Sequence, residues 1–124
     1  MASDRDMMRL VLVAAGLIGA AGVASAAAAS HAGESRNLAA IAAICLSHGP
    51  ALLALGLVGH GRLLGVTSVL LSAGTMIFAG DLGMREWVGH GLFPGAAPIG
   101  GVGMIGGWVV IVAAGLLWRR SSQF

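Results

Sequence analysis

Two groups of side chains in this sequence could do chemistry. The first is His48, in Ser47-His48-Gly49-Pro50. Imidazole is the side chain whose ordinary titration range lies nearest physiological pH, so it can relay a proton, ligate a metal or contact a cofactor. His48 stands about ten residues into an apolar run, near the middle of a bilayer at ~1.5 Å of helix rise per residue. Polar groups at that depth face a bundle interior and often mark a pathway or ligand site. Pro50 lacks an N–H and frees a carbonyl in the preceding turn. An imidazole paired with that carbonyl or with a neighbouring helix would instead be structural.

The second group is His31, Glu34, Asp81, Glu86 and His90. Histidine and carboxylate together suit a borderline metal. His31 and Glu34 are three residues apart, so a helical turn would bring them together. The spacing matches no established metal motif and the residues come from separate connections, so no metal and no cofactor is expected. A solvated interfacial loop is the simpler reading. Arg85 follows Asp81 by four and would pair with it if the helix continued that far. No serine stands with a histidine and a carboxylate in a recognised nucleophile motif, and no glycine-rich loop has the context of a phosphate cradle. The chain does not read as an enzyme.

The elements that must position these residues are apolar. Of 124 residues, 57% are hydrophobic and 10% charged, whereas a soluble domain carries about 25% charged residues. Four apolar stretches run over 10–29, 38–59, 63–80 and 99–118. Each approaches the ~20 residues a helix needs to cross a bilayer, and backbone groups in lipid are satisfied internally only by helices in a chain of this pattern. Short connections favour antiparallel neighbours. The expected fold is all-α: one four-helix transmembrane bundle, up-down-up-down. Arg5, Arg9, Arg62, Arg119 and Arg120 fall on one side and Arg36 and Arg85 on the other, which places both termini in the cytoplasm. Ala24-Ser25-Ala26 also fits a secretory cleavage site, but the apolar run is longer than a usual signal core, so retention as a span is expected.

Cys45 has no internal disulfide partner and reads as a small buried hydrophobe. The arginines are scattered, with no basic patch for nucleic acid. The 21 glycines concentrate in the spans, where small residues let helices approach closely. Gly103 and Gly107 have GxxxG spacing, Pro98, Gly100, Gly101 and Trp108 of the same span are expected to pack with them, and Ala20, Ala24 and Ala28 form a comparable stripe on the first span. Such stripes serve packing within the bundle or with a second copy. Trp87 and Trp118 suit headgroup layers, and Trp108 falls in mid-span. Val58-Gly59-His60-Gly61 recurs as Val88-Gly89-His90-Gly91, a match that glycine-rich turns produce by chance.

The order of these features is similar to that of a family of small inner-membrane proteins, domain of unknown function 423. The resemblance covers about residues 8–117. It rests first on Pro98-Ile99-Gly100-Gly101 with Gly107-Trp108, then on Ser47-His48 before Ala51-Leu52-Leu53-Ala54-Leu55, then on Phe78-Ala79-Gly80. It implies four transmembrane helices and no assigned activity, and His31 and His48 match histidines in the family's first two spans. The chain departs where the family continues Phe-Ser-Gly-Ser-Leu-Tyr: it reads Phe78-Ala79-Gly80-Asp81-Leu82-Gly83 and has no tyrosine. Ser30-His31-Ala32 stands for the usual Ala-His-Gly.

Three functions are open at this stage. The first is a structural or accessory subunit of a bacterial inner membrane, embedded in the lipid bilayer and packed by its small-residue faces against itself or a larger membrane complex. The second is a small proton-coupled carrier using His48, and the third a metal- or cofactor-binding membrane protein.

Overall fold

The structure, a computed structural model, describes residues 3–33 and 35–118. These form four helices: α1 (Asp4–Ala32), α2 (Arg36–Val58), α3 (Arg62–Trp87) and α4 (Ala96–Leu116). All four are long and apolar enough to cross a membrane. The polar punctuation that separates them supplies their caps. Ser3 and Asp6 form a reciprocal capping box at the start of α1, which satisfies two otherwise orphaned N–H groups. The Ser35 hydroxyl accepts from Leu38 N–H at 3.2 Å to open α2. Gly95 opens α4 with φ +85°, a left-handed backbone that residues with a Cβ rarely adopt.

α3 continues seven residues beyond its apolar stretch, through Asp81 and Arg85 to Trp87. The connection to α4 is correspondingly short. Pro98 lies in the first turn of α4, where a missing N–H breaks no helical hydrogen bond. Pro50 is carried inside α2 as one continuous helix.

Successive helices are antiparallel, as their paired contacts show. Along α2, Leu46, Gly49 and Gly56 meet Gly22, Gly19 and Leu12 of α1 in descending order. Along α4, Gly100 meets Phe78 while Gly107 meets Leu71 of α3. The result is up-down-up-down, with α1 and α3 parallel. The helices do not form a square. α2 packs on α3, α1 touches α3 briefly, and no Cα of α4 comes within 8 Å of α1 or α2. The core where the hairpins join contains Val11, Ala15, Ile18, Cys45, Leu52, Leu71 and Met104.

Both hairpins are pinned where backbone meets backbone. A Cβ on Gly49 would lie 3.1 Å from the Cα and N of Gly19. A Cβ on Gly100 would lie 2.6 Å from Gly74 O and 2.7 Å from Phe78 N. In lipid there is no hydrophobic force between helices, so such close approach is what gains the dispersion contacts. The α4 packing face therefore runs through Gly100, Met104 and Gly107. Gly103 flanks it, with Gly74 Cα at 3.6 Å from a Cβ there, while a Cβ on Gly101 would meet open space. On α1 the packed face is Val11, Ala14, Ala15, Ile18 and Ser25. Ala20 and Ala24 of the small-residue stripe point outward.

The opposite side of α4 exposes Val102, Ile105, Val109, Val112 and Leu116, a continuous apolar stripe of the kind bilayer hydrocarbon covers. Gly100→Ala is expected to force α3 and α4 apart and destabilise the bundle by about 1–3 kcal/mol, the usual cost of overpacking. Gly101→Ala should leave stability within about 0.5 kcal/mol. Denaturant titration of the purified chain in detergent measures both.

Candidate functional site

His48 lies near the middle of α2 and is buried. Its ring contacts three groups. Nδ1 stands 2.9 Å from Ile44 O and 3.1 Å from Ser47 Oγ, and Nε2 stands 3.0 Å from Trp108 Nε1 of α4. These partners assign the protons. An indole N–H can only donate, so Nε2 must accept; a carbonyl can only accept, so Nδ1 carries the hydrogen. His48 is thus the neutral Nδ1–H tautomer, tied to its own helix on one side and to α4 on the other. The rings meet edge to face, with centroids 5.7 Å apart and planes at 75°, a favoured aromatic arrangement. The ring bonds the carbonyl four residues back, not the carbonyl of Leu46 that Pro50 leaves without its usual donor.

This bond spans a real gap. The backbones of α2 and α4 stay more than 8 Å apart at every Cα pair, and the long indole reaches across. Spans two and four were both legible as sequence, but nothing in either said that His48 and Trp108, sixty positions apart, would pair.

Asp81 is the second polar centre and is wholly buried. Oδ2 accepts from Arg85 Nε at 3.0 Å, the pairing its i,i+4 spacing allows. Oδ1 accepts from Leu92 N at 2.8 Å. The carboxylate therefore fastens the α3–α4 connection down onto α3, and a Cβ on Gly91 would collide with Oδ1. Nearby, the Ser35 hydroxyl that caps α2 donates to Glu86 Oε1 at 2.6 Å, joining the start of α2 to the end of α3. Asp81 and Glu86 are thus both engaged in joining elements.

His31 is exposed in the last turn of α1, and His90 is exposed with Nδ1 3.0 Å from Gly91 O. Glu34 lies outside the described residues. Among the described residues, no three of His, Cys, Asp and Glu come together as a metal-binding set. The two Val-Gly-His-Gly segments also differ in backbone: the positive φ falls on Gly61 in the first and on Gly89 in the second.

Along the parallel pair α1 and α3 the seam opens at both ends. One opening, of about 620 Å³, lies between the start of α1 and the α2–α3 turn, with Asp4 and Arg62 at its rim. The other is a groove of about 660 Å³ between the second halves of α1 and α3, floored in part by Ser25, Cys45 and Thr75. Thr75 is wholly buried, and among the described residues its hydroxyl has no hydrogen-bond partner. An unsatisfied buried hydroxyl costs about 1–3 kcal/mol. Nothing in the sequence sets Thr75 apart. Its only signal is a hydroxyl in an apolar run, which a helix ordinarily satisfies from within.

Comparison of the chain with known protein families, with curated proteins and with solved structures finds no match.

The Trp108–His48 bond is expected to contribute measurably to stability. In a double-mutant cycle of Trp108→Phe and His48→Ala, the coupling should fall between about 0.6 and 1.7 kcal/mol, the average and the maximum found for hydrogen bonds between membrane helices. Unfolding of the four variants in detergent gives the value.

Proposed function

We propose that this chain is a structural or accessory subunit of a bacterial plasma membrane, crossing it four times with both termini cytoplasmic. The observation that carries the reading is the use made of His48. Each ring nitrogen has a partner within the chain, at 2.9 Å and 3.0 Å. A proton carrier needs a group that can exchange its proton. A second proton on Nε2 of His48 would face a donor and break the contact with α4. The same economy holds at Asp81, which is spent on Arg85 and the Leu92 amide. The polar groups read as fasteners, and the exposed apolar stripe of α4 leaves a face for lipid or for a neighbouring subunit.

Affinity purification of the intact chain from native membranes in mild detergent should recover a homo-oligomer or a larger partner in fixed stoichiometry. A lone monomer would overturn the reading. So would proton or solute flux in proteoliposomes that is lost in His48→Ala, which would establish a carrier instead.

The orientation rests on the arginine distribution. In a Cys45→Ala background, the thiol of Arg62→Cys should react with an impermeant reagent only from the cytoplasmic side. That of His90→Cys should react only from the outside.

A further inference from the structure

The groove between α1 and α3 has a polar group with nothing to bind. Thr75 is wholly buried and its hydroxyl unpartnered. In a helix the ordinary remedy is a bond back to a carbonyl three or four residues earlier. Ser68, two turns before it on α3, takes that remedy with Leu64 O at 2.9 Å, and Ser47 takes it with Ala43 O at 2.9 Å. Thr75 does not, although it forms part of the floor of a groove of about 660 Å³. That volume lies within the range of small-molecule sites, about 300–1,000 Å³.

The lining narrows the occupant. Among the described residues it contains no charged side chain, so a charged headgroup would be buried without compensation. A second helix would offer only carbonyls that already accept within it, at the long 3.4 Å that Thr67 Oγ1 keeps to Gly107 O across α3 and α4, a poorer partner than a free carbonyl, and a bare acyl chain has no oxygen to offer. What Thr75 can receive is a carbonyl on an otherwise apolar molecule. Met76, Met84 and Trp87 line the same groove, and thioether sulfur and indole pack well against an aromatic or quinonoid ring.

We propose that this groove binds a neutral, membrane-dissolved lipophile through a carbonyl oxygen, the chemistry of a prenylated quinone. The Thr75 hydroxyl donates to the carbonyl, Met76, Met84 and Trp87 contact the ring, and the tail lies along the open side of the seam.

The test uses the intact chain in phosphatidylcholine nanodiscs titrated with a decyl-substituted benzoquinone, read as saturable quenching of tryptophan fluorescence beyond that in nanodiscs with a free tryptophan analogue. Trp87→Phe should remove most of the signal. Thr75→Val keeps the side-chain shape and removes the hydroxyl; it should weaken binding about fivefold, the worth of one neutral hydrogen bond. Thr75→Ser should retain the affinity of the original chain, and thermal unfolding of both variants shows whether the fold is kept. A decylbenzene lacking the carbonyls should bind no better to the original chain than to Thr75→Val. Absence of saturable binding, or equal affinity in Thr75→Val, overturns the proposal. So does efficient cross-linking of Met84→Cys to a second copy in a Cys45→Ala background, which would make the groove an interface between chains.

Discussion

Two contacts between backbones set the dimensions of this bundle. Gly49 lies against Gly19 and Gly100 lies against Gly74, so a Cβ on Gly49 would crowd the first hairpin and one on Gly74 or Gly100 would force the second apart. Where lipid solvates apolar side chains as well as protein does, dispersion at close range is the main attraction left to helices. Because α1–α2 and α3–α4 are each drawn so tight, the rest of the geometry follows from how the two hairpins meet. α2 and α3 form the shared diagonal, and among the described residues α4 has α3 as the only helix within 8 Å of its Cα atoms. Trp108 must then reach a long way to touch α2, and the seam between α1 and α3 is left open toward either end.

The few polar groups complete what the glycines begin. A buried hydrogen-bonding atom costs about 1–3 kcal/mol when it has no partner, and a bundle in lipid has little water to lend. His48 joins α2 to α4, Asp81 holds the α3–α4 connection, and Ser35 with Glu86 joins the start of α2 to the end of α3. The bonds of His48 and Ser35 tie together helices that glycine packing does not, while that of Asp81 holds the connection within the α3–α4 hairpin. This use of polar groups as fasteners explains why the residues most suggestive of chemistry are occupied with structure. Thr75 is the exception, and its position on the floor of the open groove separates it from the fasteners.

Much of this was legible in the residues. An apolar run of span length admits only a helix, since backbone groups without water must pair within the segment. The four helices and their alternation therefore follow from composition and short connections. The helix starts, which the apolar stretches did not mark, are set locally too: Ser3, Ser35 and Gly95 are residue types that favour the first position of a helix. His48 stood out for the depth at which it sits. Less legible was the end of α3. A charged pair at Asp81 and Arg85 resembles the end of a membrane helix, and only the amide of Leu92 folding back onto the carboxylate shows why the helix continues there. Among the α4 glycines expected to pack, spacing alone did not rank them. Gly103 and Gly107 have the familiar spacing, but the closest approach is at Gly100 and a Cβ on Gly101 would meet open space, because the rotation of α4 is decided by what α3 presents.

The sequence by itself determined the kind of structure: four apolar helices, antiparallel in succession, with their caps and their lipid-covered character. Local physics suffices for that, since helix formation in an apolar medium depends on the segment alone. Only the tertiary structure decided which polar groups meet. That Trp108 donates to His48, that Asp81 receives the Leu92 amide and that Thr75 receives nothing are facts of helix rotation and offset. Rotation and offset depend on the sum of many weak side-chain contacts between helices, and no single spacing along one helix encodes them.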